Sequence, residues 1–312
     1  MLYDLLYLAQ QGINALQQGS IYALIALGYS MVYGVLTMIN FAHGDLFMLG
    51  AFACMLLAGV LMPLGLPPAL LLVLTLILVM LVIGLLGAFI ERVAYRPLRG
   101  APRVSAIITA LGCGLLIESL TLVKYPYSQS MPVLYETTTF KLFNAADPHG
   151  GTLTLTITNL QLLIILVSIG LMIALDFVIR KTRYGMAMRA ISFDARTVPL
   201  MGIPVDNVIS LTFLAGAGLG GAAGMLYGLA YPVISPGIGI LVGWKAFIAA
   251  VIGGIGSIRG AVLGGFILGA IEVIAVVVLP STYRDLISYS LLLVILVFKP
   301  YGLLGQPPNQ KV

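Results

Sequence analysis

The residues able to do chemistry are few, and they sit at the edges or inside of apolar runs. Met38-Ile-Asn-Phe-Ala-His-Gly-Asp45 sets Asn40, His43 and Asp45 between one apolar segment, about Gln11 to Val35, and a second reaching about Leu61. Asn40 is placed to cap a helix start, with His43 and Asp45 in its first turn or so. Groups of this kind at bilayer depth cost about 2.5–3.5 kcal/mol each, so they face protein or water. Two readings follow: a pathway or gate near the inner end of a span, or a polar cap that only stabilises the helix start. Glu118 lies in a further apolar run shortly before Lys124 and is expected at the outer interface. Glu272, ahead of Pro280, is the ionisable residue expected to lie truly within the membrane.

No hydrolytic, redox or metal constellation accompanies them. His43 and His149 fall on opposite sides of the membrane, and Cys54 and Cys113 sit in apolar runs as small hydrophobes. The glycine-rich stretch Phe247–Gly265 lacks the Gly-Lys-Ser/Thr that holds a lysine on phosphates, and that tripeptide occurs nowhere in the chain. The expectation is a protein that is not an enzyme, with no metal, no directly bound cofactor and no ATP site of its own.

The elements that position these residues are membrane spans. Hydrophobic residues make up 60% of the 312 and charged residues only 9%, against about 25% charged in soluble chains. Continuous apolar runs, rather than short alternating segments, exclude a β-barrel. The fold class is therefore all-α: a polytopic helical membrane protein of about eight or nine spans, read as one transmembrane domain over residues 1–312. The net charge of +5 needs no nucleic acid, because the cations gather in two loops that the positive-inside rule keeps in the cytoplasm. The first is Glu91–Arg103, where Glu91 is expected to pair with Arg92, Arg96 or a partner's charge.

The second loop, 180–206, carries Arg180, Lys181, Arg183, Arg189 and Arg196 between two runs long enough to cross a bilayer. Met186, Ala190 and Phe193 share one helical face, Pro199 breaks or starts a helix, and Gly202 with Pro204 ends the unit. A short helix lying against the inner face is something a docking partner can push. The plainer alternative is a charged loop that fixes topology. Counting crossings from this loop puts the N-terminus outside, and leaves open whether Gly243–Gly256 crosses or re-enters.

The remaining runs are packing elements. Gly19, Ala23, Ala26 and Ser30, then Gly216, Gly220, Gly224 and Gly228, then Gly260, Gly264, Gly265 and Gly269 let helices approach closely. Ala69–Ile90 is expected to face lipid, and Trp244 with Lys245 to sit at an interface, the amine snorkelling. Gly253-Gly254 suggests a span broken at the inner face. The external loop 124–159 ends in Thr152-Leu-Thr-Leu-Thr-Ile-Thr158, whose strict alternation predicts a β-strand.

These stretches carry a resemblance. Ile39-Asn-Phe-Ala-His-Gly44, Glu91-Arg-Val-Ala-Tyr-Arg-Pro-Leu-Arg99, Gly185 through Gly202 and Lys245-Ala-Phe-Ile-Ala-Ala-Val-Ile-Gly-Gly-Ile-Gly-Ser257 resemble the LivH-like permeases of branched-chain amino acid ABC importers. The similarity covers nearly the whole chain, in order. It implies a bacterial inner-membrane subunit paired with a second, homologous permease, two cytoplasmic ATPase subunits that hydrolyse ATP, and a periplasmic solute-binding protein. It also implies that loop 180–206 docks in a groove of the ATPase, through Gly185, Arg189, Ala190, Asp194, Ala195 and Gly202. The general permease pattern, Glu-Ala-Ala followed by Gly, is met only loosely by Asp194-Ala195 and Gly202. Asn40, His43, Asp45 and Glu272 become candidates for the translocation path, with the half-helix start at Asn40–His43 meeting a substrate carboxylate. The alternative is a stand-alone, ion-coupled secondary transporter, for which Glu272, Glu118 and Asp45 would be the working residues.

Overall fold

A computed structural model describes residues 2–146, 152–195 and 197–305. Ten α-helices account for most of them. They are α1 (Leu2–Leu36), α2 (His43–Leu61), α3 (Pro68–Ile90), α4 (Arg103–Lys124), α5 (Asn159–Lys181), α6 (Arg183–Asp194), α7 (Val205–Ala230), α8 (Ile238–Gly253), α9 (Ile258–Val278) and α10 (Arg284–Phe298). Eight of the described helices are long and apolar enough to cross a membrane; α8, at 16 residues, is shorter.

The small-residue ladders decide which helices touch. On α9, Gly265 and Gly269 meet Ala23 and Gly19 of α1, while Gly264 meets Ala249 of α8. On α7, Gly216 faces Gly28 of α1, and Gly224 lies so close to the Phe47 carbonyl of α2 that any side chain there would collide. Backbones this close gain dispersion contacts that lipid cannot match. Helix α1 is longer than the apolar run alone suggests. Its first turns continue outward, where Gln10 accepts the Thr156 N–H (2.9 Å) and Leu6 packs on Leu155. Helix α3 does not simply face lipid. One face, with Ile83, Gly84 and Gly87, is buried against Leu214, Ala217 and Gly221 of α7, and only the opposite face is exposed.

Sidedness follows from the contacts. The end of α1, the end of α5, helix α6 and the start of α9 surround one cavity, so all lie on one face of the bundle. Helix α7 leaves that face and α9 starts from it. The segment between them, including α8, must therefore run back across, which makes nine crossings among the described residues. The expected break is present: α8 ends at Gly253, Gly254 and Gly256 take positive φ (104° and 88°), and the Ser257 hydroxyl caps α9 on Gly260 N–H (3.2 Å). The chain beyond α10 folds onto this break, with Leu303 and Leu304 N–H on the Ile252 and Gly253 carbonyls (2.9 Å each).

On the outer face are two small antiparallel ribbons. Strand β1 (Gln129–Ser130) pairs with β4 (Val233–Ile234), and β2 (Thr139–Ala146) pairs with β3 (Thr152–Thr158). The predicted strand is thus present. It passes into α5 through a capping box in which Thr158 Oγ1 and the Gln161 side chain bond each other's backbone N–H (3.0 Å each). Pro148, His149, Gly150 and Gly151, and Arg196, lie outside the described residues.

Candidate functional site

The polar stretch after α1 is a break in the bundle interior. Thr37 takes a positive φ of 53°, the chain turns back, and α2 starts at His43, alongside the middle of α7. Asn40 is not the helix cap. Ala42 holds that position without a side-chain bond, and the Asn40 carboxamide instead accepts the Ala42 N–H (3.1 Å) and the Tyr95 hydroxyl (2.6 Å). Tyr95 reaches it because Glu91–Tyr95 is a π-helical turn, which widens the end of α3 and turns both residues inward. The His43 imidazole is fully buried, wedged between Gly28 and Gly220 and edge-on to the Tyr29 ring at 4.7 Å. Among the described residues neither ring nitrogen has a hydrogen-bond partner.

Asp45 points elsewhere. With Glu118 of α4 it lines a cavity of about 110 Å³ between α2, α4 and α8. Glu118 therefore faces a cavity within the bundle and not simply the outer interface. Tyr29, Phe41, Trp244 and Phe247 complete the wall, with ring centroids 5.6–6.1 Å apart along the series. Asp45 is 6% exposed, and among the described residues its Oδ1 has no hydrogen-bond partner.

Glu272 is the opposite case. It is fully buried, as expected. Gln18 and Tyr22 donate to Oε2 (2.7 and 2.8 Å), Ser288 donates to Oε1 (2.8 Å), and Lys245 and Arg284 pair with it at 3.0 and 3.2 Å. Lys245 does not snorkel; its amine is turned into the bundle and also holds Asp285 (2.7 Å). Two anions face two cations across α8, α9 and α10, the arrangement a buried charge needs to be tolerated. The structure does not bring Glu272 to the cavity that holds Asp45. Lys245 and Arg284 could not be read from the sequence as its partners, because they come from other helices.

The inner face is also tied by charge. Glu91 is buried and pairs with Arg99, not with Arg92 or Arg96, and accepts the Ser210 hydroxyl. Arg96 and Arg99 both reach Asp206 at the start of α7. Thr182 closes α5 and caps α6, accepting Gly185 N–H (3.2 Å). Helix α6 buries Gly185, Met188 and Ile191; Gly185 sits on the Ile179 carbonyl, which the Arg189 guanidinium also binds. Ala190 is half-buried, as is Asp194, and Ala195 is exposed. Pro199 opens a 3₁₀ turn, Val198–Met201, which Gly202 ends at a φ of 78°. Met186 and Phe193 on α6, and Leu200 and Met201 on the turn, project outward, with Leu200 88% exposed.

A residue that sequence reasoning missed connects this unit to the bundle. The Tyr184 hydroxyl lies 2.9 Å from Thr212 Oγ1 and 3.2 Å from the Val208 carbonyl, both on α7. Burial pushes its phenol up to about 12, against a smaller opposing effect of the Thr212 hydrogen bond, so it stays protonated at any physiological pH.

Comparison with known proteins finds relatives over nearly the full length of the chain. Residues 12–296 match the family described as branched-chain amino acid transport system / permease component. The chain is 41% identical over 311 residues to the high-affinity branched-chain amino acid transport system permease protein LivH of Escherichia coli K12, covering 98% of each. It is 39% identical over 311 residues to the corresponding protein BraD of Pseudomonas aeruginosa, covering 99% of each. No solved structure matches it. With these matches over nearly its full length, the chain belongs to the branched-chain amino acid transport system permease family.

Proposed function

We propose that this chain is the multi-pass inner-membrane permease subunit of an ATP-driven importer of branched-chain or related hydrophobic amino acids. It forms a translocation path with a second, homologous permease and takes its driving force from two cytoplasmic ATPase subunits that bind and hydrolyse the ATP. A periplasmic solute-binding protein delivers the substrate. The observation that carries this reading is the α6 unit. Its apolar residues Met186, Phe193, Leu200 and Met201 are exposed beyond the bundle, while Gly185, Arg189 and Tyr184 fix it to α5 and α7. An exposed apolar patch on a rigid mount marks a protein contact.

Coupling then follows the contacts. ATPase closure moves α6, and the Tyr184 hydrogen bonds pass the displacement to α7. On α7, Gly220 bears on His43, so the broken start of α2 feels the shift. Gly185, Arg189, Ala190, Asp194, Ala195 and Gly202 shape the docking unit, and Asn40, His43 and Asp45 form or support the gate.

The second permease has a natural place. The Asp45–Glu118 cavity opens past Leu111, Leu115 and Trp244, which are exposed on the bundle flank. Carboxylates are not left facing hydrocarbon, which supports a protein neighbour on that flank. On the outer face, exposed Tyr127, Val133, Phe140 and Phe143 support docking of the binding protein. The test is purification of the tagged chain from its native membrane with mass spectrometry of what remains bound. A homologous permease and the ATPases are expected; a chain that comes out alone and moves solute down an ion gradient in vesicles overturns the reading.

A further inference from the structure

We infer that the cavity between α2, α4 and α8 receives the ammonium group of the transported amino acid. Asp45 and Glu118 are its counter-charges, and the Phe41–Trp244–Phe247 wall receives the aliphatic part. The inference rests on the import reading above and adds the chemistry of one subsite to it.

The argument begins with a contrast inside one molecule. Glu272 is surrounded by two cations and three neutral donors. Asp45, almost as deeply buried, has an oxygen with no donor, and among the described residues no cationic side chain pairs with it or with Glu118. Instead, Gly44, Gly114, Gly239 and Gly243 stand around it. A side chain on Gly114 would collide with Asp45 Oδ2, and one on Gly239 would press on Oδ1. The glycines thus make room for the carboxylate itself, which no described cation neutralises, at the wall of the cavity it shares with Glu118.

Asp45 lies in the first turn of α2, where the helix dipole favours negative charge but is equivalent to only about half a unit charge. Two carboxylates across one cavity leave an excess of negative charge that calls for a cation. The aromatic wall selects the kind. Ring faces attract ammonium groups and also give apolar surface to a branched alkyl chain. An inorganic cation would call for a cage of oxygens instead. At about 110 Å³ the space is smaller than the roughly 300–1,000 Å³ of a full ligand pocket. It fits the amine head and adjoining carbons, with the remainder extending past Leu111 and Trp244.

The test uses the assembled transporter in nanodiscs and saturation-transfer NMR with two probes, isopentylamine and 4-methylpentanoate. These share leucine's branched alkyl chain and differ in the charged head. The amine is expected to show contact and the acid is not. Asp45→Asn should cut the amine signal at least about tenfold, as loss of a charge-assisted contact implies, with Asp45→Glu restoring part of it. Glu118→Gln, at a half-buried position where folding is safe, should cut it less. Equal amine signals in wild type and in the Asp45→Asn/Glu118→Gln double variant would overturn the inference. So would separation of the two permeases in the Asp45 variant, since the counter-charge would then belong to the second permease. Absence of leucine uptake by the wild-type assembly would overturn the import reading, a result separable from either of these.

Discussion

At Glu272 each carboxylate oxygen is occupied more than once, and the partners come from α1, α8 and α10. Removing one charge leaves the others buried and uncompensated, so Glu272→Gln should destabilise the protein by about 3–5 kcal/mol. Replacing Glu272 and Lys245 together by leucine and methionine should recover much of that loss. Thermal unfolding of the purified protein, followed by the fraction remaining soluble, checks both outcomes. A second residue-scale prediction concerns His43, whose ring has glycine on both sides. Gly220→Val should displace the imidazole and cut uptake more than tenfold at unchanged abundance, measured as initial rates in cells. How much was legible differs between these two residues. A carboxylate in an apolar run announces itself, so Glu272 was found from the sequence. Lys245 was not, because an amine next to Trp244 looks the same whether it snorkels or turns inward. Asn40 was misassigned as a cap for a similar reason: its true partner, Tyr95, is remote in sequence and is brought near by a π-turn that no periodicity announces.

At the scale of the element, α6 is stiff because each end is fixed: Thr182 caps its start and Pro199 with Gly202 closes the turn beyond it. Phe193→Asp should leave the permease folded, since the ring is 73% exposed, yet reduce recovered ATPase at least tenfold in the pull-down. Tyr184→Phe should act differently, keeping the ATPase bound while lowering uptake per ATP hydrolysed, and costing about 1 kcal/mol of stability for the lost hydrogen bond. The phenol's raised value sets the sign of its pH dependence. Its folded form favours the proton, so its contribution is complete below about 10, the ordinary tyrosine value, and is lost as pH rises towards about 12. Uptake between pH 6 and 8 should therefore show no step from this residue. Spacing alone gave the helix and its apolar face, but not its start, which lies at Arg183 because Thr182 caps it there. It did not give Tyr184, because a tyrosine at a helix start has no pattern that distinguishes a bolt from a surface side chain.

The whole molecule is held by glycine-lined seams between helices that are distant in sequence. The spans and the strand Thr152–Thr158 were legible because they depend on local composition and alternation. Which helix lies against which was not, since a ladder of small residues states that something approaches without naming it. The order of crossings predicts that, with Cys54 and Cys113 changed to alanine, Ser128→Cys reacts with an impermeant maleimide in intact spheroplasts. Leu200→Cys should react only after permeabilisation; the reverse pattern would invert the topology. One seam carries a further consequence. Gly19 and Ala23 of α1 close on Gly269 and Gly265 of α9, yet α1 is the first helix made and α9 nearly the last. At about 5–20 residues per second of synthesis, α1 waits tens of seconds in the bilayer with its small-residue stripe and Gln18 uncovered. The nascent chain thus passes through a vulnerable window in which helix insertases and quality-control proteases meet a half-built bundle. Mutations in α9 should accordingly be seen first as loss of newly made protein, with the mature pool declining only later.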